Sequence, residues 1–191
     1  MKARNRQEKN TTIGFDLTAP IKPLVGLGGL SFAQTLKDFE GALINKGLND
    51  NSGDNFNYHL DSNYFYLTIT TTNYEIEIQV DLISGKINSM TCTNGYIGKL
   101  DNGIGIGSSI KAALSKDETL YFNLDTDWFN RTPFDGLIIY APNDIRDKCI
   151  DAAVYGTEFP DFNIQTIELI DLDFAKEHFS DGQLSFDGNS K

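Results

Sequence analysis

Two ten-residue stretches, GGLSFAQTLK (28–37) and NGIGIGSSIK (102–111), are near-paraphrases of each other. Adding 74 carries Gly29, Leu30, Phe32, Ala33, Thr35, Leu36 and Lys37 onto Gly103, Ile104, Ile106, Gly107, Ser109, Ile110 and Lys111, and every pair agrees in size or chemistry. A recurring pattern is read first, because a missed repeat misassigns a whole fold. Two copies of one unit are therefore expected. After the first stretch, TLKDFEGALINK (35–46) places Leu36, Phe39, Leu43 and Ile44 at helical spacing, with Gly47 expected to end the helix.

Three strand-like runs follow: YFYLTI (64–69), YEIEIQV (74–80) and KINSMTC (86–92), joined by short polar connections that suit an antiparallel meander. The same offset carries YFY (64–66) onto IIY (138–140) and brings the third run near IQTIELI (164–170). The expected fold is α+β, with two helix-plus-antiparallel-meander units of about three strands each and the helices packed on one face of a largely antiparallel sheet. Residues 1–23 form an N-terminal arm with an edge strand in TIGFDL (12–17), stopped by prolines at 20 and 23. The first unit spans 24–96 and the second 97–172, with a longer insertion that contains Trp128. Residues 173–191 form a short helix (DFAKEHF, 173–179) and a polar tail.

Strand alternation assigns faces. Phe65, Leu67 and Ile69, with Tyr74, Ile76, Ile78 and Val80, are expected to be buried. Tyr64, Tyr66, Thr68, Glu75, Glu77 and Gln79 then share the opposite face. Tyrosine rings beside carboxylates suit protein recognition, since the rings supply contact area and the acids pair with Arg or Lys.

Charge narrows the partner. The chain has 27 acidic and 16 basic residues, a formal charge of −11, and residues 151–187 hold nine acids against the single base Lys176. Such a surface repels nucleic acid and anionic lipid and attracts a basic protein. The start of the chain has basic residues but no apolar run after them, and no later run reaches membrane-spanning length, so a cytoplasmic protein is expected. Cys92 and Cys149 form no CxxC pair and lack a nearby His, which fits free, partly buried thiols rather than zinc, with a mutual disulfide as the alternative for an exported chain.

Other motifs are weaker. GIGIGSS has the glycines of a phosphate-binding loop, but YIGKLDN precedes it instead of a buried apolar strand, no GK[ST] follows, and the first copy has Ser31 and Ala33 at matching positions. LDTDWF and IDLDF place Asp125 with Asp127 and Asp171 with Asp173, pairs that a metal-dependent enzyme would use; Phe129 and Asn130 stand where a calcium loop needs a ligand and a glycine. On a strand such acids simply share a solvated face. His59 and His178 lie in no nucleophile motif, and Trp128 either anchors a partner or plugs the end of a sheet.

The unit with its G-[LI]-x-[FI]-[AG]-x-[ST]-[LI]-K lead-in, present twice, resembles the tandem repeat of β-lactamase-inhibitor-like proteins. That likeness implies one curved sheet with helices on its convex side and a concave face that grips another protein. In size, acidity and lack of catalytic groups the chain also resembles the immunity proteins of bacterial toxin systems, including contact-dependent inhibition. Together they imply a non-enzymatic inhibitor, without cofactor or metal, that binds a basic cognate toxin domain. The contact residues expected are Tyr64, Tyr66, Glu75, Glu77, Asp125, Asp127 and Trp128. A metal-dependent enzyme built on the Asp pairs, and an adaptor domain, are the rival readings.

Overall fold

The computed structural model describes residues 13–48, 55–61, 64–179 and 183–184. The first twelve residues of the arm, residues 49–54 and most of the polar tail lie outside these. In chain order the elements are α1 (Leu36–Leu48), β1 (Phe56–Asp61), β2 (Tyr66–Thr71), β3 (Ile76–Asp81), β4 (Ile87–Cys92), α2 (Ile110–Lys116), β5 (Leu120–Asn123), β6 (Trp128–Arg131), β7 (Leu137–Ile139), α3 (Asn143–Tyr155), β8 (Ile167–Ile170) and α4 (Leu172–His178). All eight strands form one sheet in the order β1-β2-β3-β4-β8-β7-β6-β5, and every neighbouring pair is antiparallel. The fold is α+β.

The two lead-ins make the same bonds 74 residues apart. Gln34 Oε1 accepts from the Ser31 amide at 2.9 Å, and Ser108 Oγ accepts from the Gly105 amide at 3.1 Å. Leu36 N donates to Gly85 O, and Ile110 N donates to Phe162 O. Thr35 and Ser109 stand at the helix starts: the Thr35 amide and hydroxyl donate to Asp38, while Ser109 Oγ accepts from the Ala112 amide.

The strands depart from that offset. Four strands, not three, follow each of α1 and α2, so matching Tyr64–Tyr66 to Ile138–Tyr140 sets the start of β2 against the end of β7, one strand out of step. β1 is missing from the sequence reading because only Phe56 of its six residues is buried. The extra element of the second half is α3, between β7 and β8; Trp128 opens β6 in a tight hairpin and is in no insertion. α3 turns Ile145, Cys149, Ala152 and Ala153 inward and stops at Gly156, whose φ of 63° is left-handed. α1 runs through Gly47 to Leu48. TIGFDL is not an edge strand where it is described: Leu17 O takes the Ile97 and Gly98 amides, and Asp16 N donates to Gly28 O. Phe65 and Tyr74 are not core residues either; both have positive φ in turns, and both are exposed.

Alternation splits the sheet between two clusters. On one face Leu67, Ile69, Ile76, Ile78, Val80, Met90, Phe129, Leu137, Ile139 and Leu169 pack with Phe39 and Ala42 of α1, Ile110 and Ala113 of α2, and Cys149 of α3. Ile138 and Ile170, on the other face, pack with Ala175 of α4, Phe134 and Leu184. Three helices thus cover one face, and α4 covers the second half of the other. Arg131 of β6 fastens the end of α2 with a 2.8 Å ion pair to Asp117 and a 2.9 Å pair to Asp135, both largely buried. Among the described residues no helix is long and apolar enough to cross a membrane.

Two left-handed glycines should respond differently to alanine. Gly136 has φ 86°, and a Cβ there would collide with the Ile170 carbonyl oxygen; at Gly156 nothing lies within 4 Å of the added atom. Gly136→Ala is expected to cost at least about 2 kcal/mol and Gly156→Ala about 1 kcal/mol, read from urea midpoints at unchanged m.

Candidate functional site

The face opposite the three-helix core is laid out in rows by strand register. Asn57, Thr70, Glu77, Thr91 and Glu168 stand side by side from β1 to β8. His59, Thr68, Gln79 and Ser89 form the next row, and Asp61, Tyr66 and Asp81 the one beyond. Most of these side chains are exposed or partly exposed, although Thr70 and Ser89 are buried, and α4 closes the face from Ile170 and Ile138 onward.

Where the open half meets α4 there is a cleft of about 230 Å³. Tyr64 and Tyr66 line it from the β2 side, Asp81 from the end of β3, and Asp171, Asp173 and Glu177 from α4. Asp81 Oδ1 accepts from the Ile83 and Ser84 amides, and Asp171 Oδ1 caps α4 by accepting from the Asp173 and Phe174 amides. The Asp171–Asp173 pair is therefore a helix cap plus a first-turn acid. Lys86 also lines the cleft, yet among the described residues it forms no ion pair with these carboxylates.

Glu168 lies at the middle of the sheet. The Tyr140 hydroxyl donates to it in a very short hydrogen bond. Burial pushes its carboxyl above the usual range; hydrogen bonds from Tyr140 and Ser89 work against that rise, and the charge of Glu77, across Thr91, adds to it. Tyr140 is raised for the same two reasons, burial and the adjacent carboxylate. The thiols are buried and uncoupled, with Cys92 pushed up to about 12 and Cys149 to about 11 by burial.

The expected contact residues are not gathered in one place. Tyr64, 71% exposed, and Tyr66 share the cleft, and Glu77 lies on the same open face. Glu75 instead braces a turn, its carboxylate taking the Thr71 hydroxyl at 2.7 Å and the Asn73 amide at 3.0 Å, with the Thr71 bond foremost in holding its pKa down. Asp125 and Asp127 sit in the β5–β6 hairpin at the opposite edge of the sheet, where the Asp125 amide donates to Asn123 Oδ1 and Asp127 has φ 60°. They do not share a strand face. Trp128 packs edge-on against Tyr140 at 5.9 Å and Phe179 at 5.8 Å, inside the α4 cluster. No group of three or more His, Cys, Asp or Glu side chains among the described residues is placed to hold a metal ion. The amides of the glycine stretch are used internally, Gly103 on Leu100 O, Gly105 on Ser108 Oγ and Gly107 on Ile164 O.

Sequence reasoning missed Asp81, Asn88, Glu168 and Glu177. A lone acid in the apolar run IQTIELI was the available signal for Glu168. No family model, curated protein or solved structure matches this chain.

The pH dependence of stability follows from Glu168. Its folded pKa is raised, so its contribution is fully present below the unfolded value and is lost as pH rises through the folded one. Glu168→Gln removes that loss. The urea midpoint of the variant relative to the parent is expected to climb as pH rises above the ordinary glutamate range, and a flat difference would show that the carboxyl is not perturbed.

Proposed function

We propose that this chain is a non-enzymatic inhibitor, a toxin-immunity protein that acts in the bacterial cytoplasm by binding a basic cognate toxin domain stoichiometrically and without cofactor. The observation that carries this reading is the partly exposed polar face of β1–β4, with Tyr66, Glu77 and Asp81 on it, which ends in a cleft with four carboxylates and two tyrosines. Its physics suits neutralisation by capture: negative charge speeds encounter with a cationic partner, and a few buried anchors slow release. The matched hydrogen bonds at the two lead-ins support reading the halves as copies of one unit, joined into a single broad surface.

The test is to mix the chain with the basic toxin domain encoded beside it. A 1:1 complex that abolishes toxin activity is expected, with affinity falling steeply as salt is raised. Glu77→Lys, on a half-exposed strand position, should weaken binding at least about tenfold, chiefly through the on-rate, while the melting temperature stays nearly constant. An unchanged affinity would move the contact off this face, and the absence of any complex would overturn the inhibitor reading.

A further inference from the structure

We propose that the cleft between the β2–β4 side of the open face and α4 is an arginine socket: it takes one arginine side chain of a partner protein, and Asn88 Nδ2 donates to the backbone carbonyl of that same residue. This rests on the protein-binding reading above and assigns its anchor.

Asn88 is the observation that separates this cleft from an ordinary acidic patch. In the register of β3 with β4, Gln79 faces Ser89 and Val80 faces Ile87, so Asn88 is the unmatched residue of a β-bulge. Bulges re-aim a side chain, and this one lines the cleft. Asn88 is 6% exposed, and its Nδ2 has no hydrogen-bond partner. A buried amide donor without an acceptor is costly and uncommon in a finished fold, so a ligand that brings a carbonyl oxygen there completes it.

The remaining walls fit a guanidinium. About 230 Å³ suits one long side chain rather than a domain edge or a cofactor. Two of the carboxylates, Asp81 and Asp171, already accept backbone amides, which fixes their positions. The carboxylates of Asp173 and Glu177, one helical turn apart on α4, accept no hydrogen bond and form no ion pair among the described residues, and they supply the unpaired negative charge. Phe174 stacks on His178 at 4.0 Å, with His178 Nδ1 held 2.9 Å from Phe174 O, so the position of that aromatic wall is set. Tyr64 and Tyr66 add ring faces, on which a planar, weakly hydrated guanidinium stacks better than an ammonium.

The test needs no toxin. Amide NMR spectra of the full chain are recorded during titration with acetyl-Gly-Arg-Gly-amide, and with the same peptide carrying citrulline or lysine. Saturable shifts in the millimolar range, confined to the Ile83–Ser84 turn and the start of α4, are expected with arginine and not with citrulline. The double variant Asp173→Asn, Glu177→Gln should bind at least about fivefold more weakly. Asn88→Leu should also weaken binding, and if that variant fails to fold the α4 double variant decides alone. Absent or unsaturable shifts, equal shifts with citrulline, or lysine binding as tight as arginine would overturn the socket. If the toxin complex still forms in that case, the socket fails and the inhibitor reading stands; arginine binding without a toxin complex is the converse.

Discussion

Four residue pairs join the two halves of the sheet: Ser89 with Ile170, Met90 with Leu169, Thr91 with Glu168 and Cys92 with Ile167. This β4–β8 seam is where the sheet passes from the strands that follow α1 to those that follow α2. On its core side Met90, Leu169, Cys92 and Ile167 are fully buried, so the two halves share one hydrophobic interior. A four-stranded sheet covered by one helix, as in the first half, or by two, as in the second, is small, and joining the halves raises the fraction of surface removed from water. The seam also positions α4, which starts two residues after β8 ends and must fold back across the same strands.

That return of the chain divides the second face of the sheet unequally. Over β6–β8, α4 and Leu184 cover Ile138 and Ile170, and polar atoms are buried there without protein partners: Asn130 is fully buried with neither amide atom paired, and Trp128 Nε1 is also unpaired. Over β1–β4 the rows are polar and, apart from Thr70 and Ser89, at least partly exposed. Glu168 lies at the boundary, shielded enough to resist ionisation, yet joined through Thr91 to the open carboxylate of Glu77. A surface rich in carboxylates next to a buried one costs stability, and sites that depart from the most stable choice in this way are where function is sought.

Legibility in the sequence followed the local strength of each signal. The lead-ins, α1, α4 and β2–β4 were readable because their periodicity is dense: Ile76, Ile78 and Val80 alternate without a break. β1 was hidden by its nearly all-exposed pattern, and β5–β7 by lengths of three or four residues. α3 was hidden because charged residues of both signs, Asp144, Arg146, Asp147, Lys148 and Asp151, interrupt its sparse apolar stripe. The candidate site was half legible. Tyr64, Tyr66 and Glu77 came from strand alternation, whereas Asp81, Asn88 and the acids of α4 meet only through packing between distant segments and a bulge that leaves no mark in composition.

The seam has a cost in time. Its strands are separated by roughly eighty residues, so it forms only by a long-range closure of the kind that slows folding. As the chain leaves the ribosome, β1–β4 are complete while the outer edge of β4 has no partner until Ile170 is made. An unpaired central edge is a template for strands of other molecules. The chain is thus most open to pairing with the wrong strands midway through its own synthesis.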